Sequence, residues 1–314
     1  YGTSGVLELR DIDKPAPKDN EVLVRVHASS VNAADWHFMT GLPLIARLVM
    51  GPRKPKSKIL GRDLAGRVES VGKDVTRFQP GDEVYGEAEN GCFAEYVCVA
   101  EDLLGPKPAG LSFEQAAALP LAAGTALQGL RDNGKVQPGQ KVLIKGASGG
   151  VGTYAVQIAK ALGAEVTGIC STRNVELVRS LGADHVIDYT KEDFTKNGER
   201  YDVILDIAGR HSLSQCRRAV APKGKLVLTN GEGSRLFGPI GRNLRASVMS
   251  LFVGQSLGAY LAKPSKENVA ELSELVAAGK ITPSIESTYP LSEAREAVRH
   301  FEEDHAQAKI VITV

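Results

Sequence analysis

Long apolar stretches are missing from this 314-residue chain: no run approaches the roughly 20 residues that a bilayer-spanning helix needs, so no membrane span is expected. A surplus of charge is missing too. Its 38 Lys and Arg stand against 37 Asp and Glu, which leaves no broad basic field for a nucleic acid. Cysteine is scarce and unpatterned: Cys92, Cys98, Cys170 and Cys216 form no C-x-x-C pair and no regular framework, which favours reduced thiols over a disulfide scaffold. The first residues, Tyr1 to Arg10, lack the basic start and apolar centre of a signal segment, and a cytosolic (cytoplasmic) location is expected. Val6, Leu7 and Leu9 read instead as the interior of a strand region, as though a short piece preceded Tyr1.

The length is enough for two domains, each with its own apolar core. From Glu21 to about Val99 the texture is that of short strands broken by turns: Val22 to Ala28, Leu64 to Val71, then Pro80-Gly81-Asp82 before Val84 and Tyr85. The stretch Leu42 to Lys58, with Pro43, Pro52 and Pro55, reads as a mobile loop. Beyond Pro108, Phe113 to Leu119 and Ala122 to Leu130 read as helices. From Lys141 strands alternate with helices, the strands being Lys141 to Lys145, Glu165 to Cys170, His185 to Tyr189, Asp202 to Ile207 and Lys225 to Thr229. Such alternation predicts a doubly wound parallel sheet. Lys263 to Gly279 has helical apolar spacing, and Lys309 to Val314 reads as a last strand.

The strongest motif is a strand running into Gly146-Ala147-Ser148-Gly149-Gly150-Val151-Gly152 and then a helix to Leu162. Glycines permit the sharp turn and let backbone N–H groups approach a pyrophosphate, while the helix N-terminus favours negative charge. Glycines also mark plain turns. The strand before the loop, the amphipathic helix after it and the next strand at Glu165 make the dinucleotide reading much the stronger one. After that next strand a carboxylate would select the ribose 2′-hydroxyl of NAD. Here the chain reads Cys170-Ser171-Thr172-Arg173-Asn174, with no carboxylate and with a hydroxyl and a cationic fork suited to a 2′-phosphate, so NADPH is expected. On the plainer reading, Ser171 and Asn174 cap the following helix and Arg173 points to solvent. Tyr189 could close the same pocket, and Ala208 and Asn230, past the fourth and fifth strands, lie where ligands bind in such sheets.

With these residues in view, the chain resembles the zinc-independent quinone oxidoreductase branch of the medium-chain dehydrogenase/reductase superfamily. Ser30-Val31-Asn32-Ala33-Ala34-Asp35-Trp36, Gly61-Arg62-Asp63-Leu64-Ala65-Gly66, Gly81-Asp82-Glu83-Val84, Ala117-Ala118-Leu119-Pro120 with Thr125-Ala126, the glycine loop, Leu181-Gly182-Ala183-Asp184 and Lys309-Ile310-Val311-Ile312 carry the likeness, in that order. The resemblance implies an α/β protein: a GroES-like β-rich substrate domain, residues 1–111 completed by 253–314, plus a Rossmann doubly wound domain over 112–252. A homodimer is implied as well. It places Asn32 near the nicotinamide ribose and substrate, where the alternative is a turn residue satisfying local backbone, and Thr125 beside the cofactor. It puts Phe252 and Val253 in the segment whose backbone meets the carboxamide, with aromatic core packing as the alternative for Phe252.

Zinc-dependent relatives carry a Cys ligand, a Gly-His-Glu sequence and four close cysteines; here Arg62 and Asp63 stand in the second place, and Cys92 with Cys98 cannot make a four-thiolate site. Without a metal the acceptor must already be activated for hydride, as a quinone or an α,β-unsaturated carbonyl (an enone) is. No general acid stands out, and water suffices for the last proton. Trp36, Phe38 and Met39 either wall the acceptor pocket or belong to the core. Two other readings stay open: a zinc-free alcohol or carbonyl oxidoreductase, and a non-catalytic NADPH sensor.

Overall fold

A computed structural model describes residues 1–209, 211–229, 236–303 and 306–314. The chain divides into two compact units, Tyr1–Gly124 with Pro264–Val314, and Thr125–Lys263. These divisions fall further along the chain than 111/112 and 252/253. Helix α3 (Phe113–Ala117) packs on the strands of the first unit, with His27 and Phe113 stacked at 4.3 Å between ring centroids, and Ser256–Ala259 adds a strand to the sheet of the second.

In chain order the first unit supplies β1 (Glu21–Ser30), α1 (Ala33–Thr40), α2 (Arg47–Met50), β2 (Asp63–Val71), β3 (Glu83–Glu87), β4 (Tyr96–Ala100), β5 (Leu104–Pro106) and α3; helix α4 is Pro120–Leu127. The second supplies β6 (Lys141–Lys145), α5 (Gly150–Ala161), β7 (Glu165–Cys170), α6 (Val175–Ser180), β8 (His185–Asp188), β9 (Tyr201–Asp206), α7 (Leu213–Ala219), β10 (Val220–Leu228), α8 (Ile240–Ser250) and β11 (Ser256–Ala259). The chain then returns to the first unit as α9 (Lys266–Ala277), β12 (Ile285–Pro290), α10 (Ala294–Glu303) and β13 (Lys309–Thr313).

The first unit is a seven-stranded sheet ordered β12-β13-β1-β2-β3-β5, with β4 also paired to β1. Register shifts at Leu23/Val24 and Val26/Ala28 bend β1, which lets one strand pair with β2, β4 and β13. Val22, Val24, Val26, Leu64, Val68, Val84 and Leu104 fill one side of it as an apolar core. The second unit is a six-stranded parallel sheet ordered β11-β10-β9-β6-β7-β8. Its strands are apolar on both faces, as covered parallel strands are: Val142, Leu143 and Ile144 of β6 are fully buried. Strand order reverses beside β6, which places a ligand crevice at the carboxyl edge there.

Some expectations are corrected. Residues 4–6 form a 3-10 turn, and no strand is assigned from residue 1 to 20. The stretch from Leu42 to Lys58 holds a 3-10 turn, Leu44–Ala46, and α2, pinned by Arg47 to the Gly41 and Thr40 carbonyls at 3.0 Å. Pro120 lacks the N–H that would continue α3, so a new helix starts there; it runs on into π-helical turns over Gln128–Gly134.

Candidate active site

Strand β6 ends at Lys145, and Gly146 turns the chain with φ +83°, a conformation that favours glycine. Gly152 lies in the first turn of α5, where a Cβ would stand 2.0 Å from the Gly146 carbonyl oxygen; only glycine lets the helix seat on the loop. Gly149 is the N-cap, and the first N–H groups of Gly150, Val151 and Gly152 face outward without intrahelical partners, as at any helix start. The buried Asn174 donates its amide to Ser148 Oγ at 2.8 Å, tying the loop to the turn after β7. Its Oδ1 is buried with no hydrogen-bond partner among the described residues. A glycine cradle, a helix N-terminus and an unfilled acceptor beside them suit a dinucleotide.

The turn after β7 carries Ser171, half-buried, and Arg173, exposed. Ser171 and Asn174 stand at N-cap positions without a capping hydrogen bond from either side chain, and Arg173 is exposed, as the plainer reading has it. Tyr189 stands 46% exposed next to this turn, its N–H bonded to the Cys170 carbonyl at 3.1 Å. The fold also brings a carboxylate here that the local sequence did not show: Asp188, which accepts from Thr172 Oγ1 at 2.6 Å and Thr190 Oγ1 at 2.7 Å, with Lys191 at 3.4 Å. The threonine hydroxyls hold its pKa down to about 2.

At the carboxyl end of β9, Asp206 is sealed from water and paired with Lys145 at 2.9 Å and Arg242 of α8 at 2.6 Å; its Oδ1 also accepts from Gly209 N–H at 3.0 Å. This anchors the turn that carries Ala208, which is exposed and which a Cβ on Gly146 would meet at 3.3 Å. Gly146 to Gly152, Ser171, Arg173, Tyr189 and Ala208 thus share one edge of the second unit. The expected Asn230 lies outside the described residues. Thr125 offers its carbonyl to the Tyr260 hydroxyl. Phe252 is 82% exposed past the end of α8, which excludes core packing, and Val253 packs on the second unit's core.

In the first unit Asn32 is buried, and its amide is fully engaged: Nδ2 donates to Ser30 O at 3.1 Å and Asp63 Oδ2 at 2.9 Å, and Oδ1 accepts from Lys309 Nζ at 2.5 Å. Asp63, wholly buried, accepts further from Ser30 Oγ at 2.7 Å and Leu121 N–H at 2.8 Å, with Lys309 at 3.5 Å. Asp35 accepts from the N–H groups of Asn32 and Gly61 at 2.8 and 3.2 Å, and burial pushes its carboxyl up to about 7. At the margin of this hub Arg62 and Glu87 pair at 2.6 Å, and burial, with the Asp63 charge, lifts Glu87 to about 7. Met39 belongs to a core cluster against which Trp36 and Phe38 pack. Among the described residues no group of three or more His, Cys, Asp or Glu side chains is placed to hold a metal.

The sequence matches the alcohol dehydrogenase GroES-like domain over residues 18–109 and the family described as zinc-binding dehydrogenase over 181–312. It is 37% identical over 330 residues to the Mus musculus "NAD(P)H oxidoreductase RTN4IP1, mitochondrial", covering 94% of this chain and 82% of that one. It is 33% identical over 326 residues to the "2-methylene-furan-3-one reductase" of Solanum lycopersicum, covering 99% and 76%. The structure of the quinone oxidoreductase from Coxiella burnetii superposes with a TM-score of 0.87 at 32% identity, covering 100% of this chain and 96% of that one. A GroES-like unit, a Rossmann unit with an intact glycine cradle and identities of this size over nearly the whole chain agree: this is an oxidoreductase of the medium-chain dehydrogenase/reductase superfamily, in its quinone oxidoreductase-like branch.

Proposed function

We propose that the protein uses NADPH to reduce a quinone or the activated double bond of an α,β-unsaturated carbonyl, without zinc. When bound, the reduced nicotinamide supplies the hydride. The residues of this chain supply the rest: the loop Gly146 to Gly152 and the N-terminus of α5 hold the diphosphate, and Asn174 fixes the loop through Ser148. One observation carries the NADPH preference: the turn after β7 presents Ser171 and Arg173, while the carboxylate beside it, Asp188, is taken up by Thr172, Thr190 and Lys191. A 2′-phosphate therefore meets a guanidinium.

The acceptor class is supported by the relatives' names, a quinone oxidoreductase and a furanone reductase, and by chemistry that needs no metal to activate such acceptors. Lys309 and Asp63 hold Asn32 so firmly that its part is to shape the first unit's polar centre. A homodimer and a cytosolic location complete the proposal; light scattering and cell fractionation check each. The main test is NADPH oxidation at 340 nm by chelator-treated protein, offered a quinone, an alkenal and a simple aldehyde, with NADH beside it. Turnover with the first two supports the proposal. Tight NADPH binding with no turnover would make the protein a sensor, and turnover of the aldehyde alone a carbonyl reductase.

A further inference from the structure

At the amino edge of the second unit's sheet, the edge opposite the glycine loop, the strands β9 and β10 border an open cleft of about 400 Å³. Two irregularities build it. Between the pairs Val220–Tyr201 and Lys225–Val203, β10 runs five residues where β9 runs two, so residues 221–224 bulge out, Pro222 with no N–H for a ladder among them. Gly224 brings the bulge back so close to β9 that a Cβ would stand 2.8 Å from the Asp202 carbonyl oxygen. On the other side the π-helical turns end at Gly134, and Lys135 follows in the left-handed region at φ +49°. Lys223 and Lys225 line the cleft, and Lys225 Nζ donates to the Gly134 carbonyl at 2.9 Å. Burial and the charge of Lys135 push the Lys225 ammonium below its ordinary pKa, and no carboxylate pairs with Lys135, Lys223 or Lys225 among the described residues. Gln140 and Asp202 line the cleft as well. Gln140 Oε1 accepts from Gln137 N–H and Asp202 Oδ2 from Lys141 N–H, both at 2.9 Å, which orients the two side chains and leaves Gln140 Nε2 and Asp202 Oδ1 without partners among the described residues.

We infer that this cleft binds a small phosphate monoester that also carries hydroxyl groups, as a sugar phosphate does. Lys223 and Lys225 take the phosphate, whose negative charge offsets the repulsion among the unpaired ammonium groups. Asp202 repels a second anionic group, so the rest of the ligand is neutral and hydroxylated: one hydroxyl donates to Asp202 Oδ1 and another accepts from Gln140 Nε2. The volume falls within the range of roughly 300–1,000 Å³ that small-molecule sites occupy. Every residue of the cleft belongs to the second unit, and the site stands whichever acceptor the enzyme reduces.

The test is calorimetry on the whole chain with glucose 6-phosphate, inorganic phosphate and glucose, each run with and without saturating NADP, which keeps the probes off the glycine loop. Glucose 6-phosphate should bind at least about tenfold more tightly than inorganic phosphate, glucose should not bind, and NADP should change the affinity by less than about twofold. Lys223→Glu, at an exposed bulge position, should weaken glucose 6-phosphate at least about tenfold with an unchanged melting temperature, and Lys225→Met should weaken it as well. Asp202→Asn should bring glucose 6-phosphate and inorganic phosphate close to equal affinity. Wild-type protein that does not bind glucose 6-phosphate would overturn the inference, as would binding that a folded Lys223→Glu retains in full. Binding that NADP abolishes would belong to the cofactor edge and would overturn it too. Equal wild-type affinity for inorganic phosphate would overturn the ligand class and leave an adventitious ion only.

Discussion

A lysine ammonium sealed from water needs compensation, and Lys309 finds it in Asn32 Oδ1, the Val31 carbonyl and Asp63. Replacing it leaves Asp63 and the Asn32 carbonyl short of a partner. Lys309→Met should therefore cost about 3–5 kcal/mol in chemical denaturation, the size for a broken buried pair, and an unchanged midpoint would show that the hub relaxes freely. Asp35 gives a pH signature. Its folded pKa of about 7 lies above the ordinary carboxyl value, so its stabilisation is complete below about pH 4 and is lost as pH rises through about 7. Melting temperature should accordingly fall from pH 5 to 8, and Asp35→Asn should flatten that slope. At the cofactor edge, Arg173→Glu should raise the NADPH KM at least tenfold and leave NADH nearly untouched, since one charge-assisted bond to a phosphate becomes a repulsion, roughly 1.5–3 kcal/mol; equal effects on both would reject Arg173 as the phosphate ligand. Asn32 was legible as a residue of interest because it precedes a helix in a recognisable stretch. Its partner Lys309 lies 277 residues away, a pairing that no local pattern encodes. Asn174 likewise reads as a cap in sequence, yet its amide reaches Ser148.

At the scale of elements, the strand, glycine loop and helix from Lys141 to Ala161 were readable because each signal is local: an apolar run, glycines at forced positions, and a 3.6-residue period. Gly152 shows how tightly the loop and helix fit. Gly152→Ala sets a Cβ against the Gly146 carbonyl, so it should cost about 1–3 kcal/mol of stability and weaken NADPH binding several-fold in a titration. Retained affinity would mean that the loop has room to shift. Helix α8 and strand β11 were not readable. The α8 positions Ile240, Leu244 and Val248 have helical spacing but stand 47%, 64% and 48% exposed, so they make no inward face, and β11 is only Ser-Leu-Gly-Ala, weak in strand formers. Pro120 signals the break between α3 and α4 and itself opens α4, two residues before the apolar spacing from Ala122 becomes helical, because proline suits a first helical position.

Across the molecule, the first unit is discontinuous: β13, from the chain end, pairs with β1, so Lys309 meets Asn32 only because the two segments share one sheet. Texture separates a β-rich region from an alternating one, but where the chain crosses between units depends on packing, as α3 on β1 and β11 on β10 show. One unit carries a glycine cradle, and the other a buried polar centre of Asn32, Asp63 and Lys309 with Arg62 and Glu87 at its margin. In the proposed reaction hydride passes from NADPH to an activated acceptor with no metal. The most direct measurement is anaerobic single-turnover absorbance at 340 nm, mixing chelator-treated protein and NADPH with duroquinone or trans-2-hexenal. A stoichiometric loss of NADPH with at least one acceptor, unchanged by chelation and much slower with NADH, is the predicted result. Persistent absorbance with both, or a loss that chelation abolishes, would contradict it.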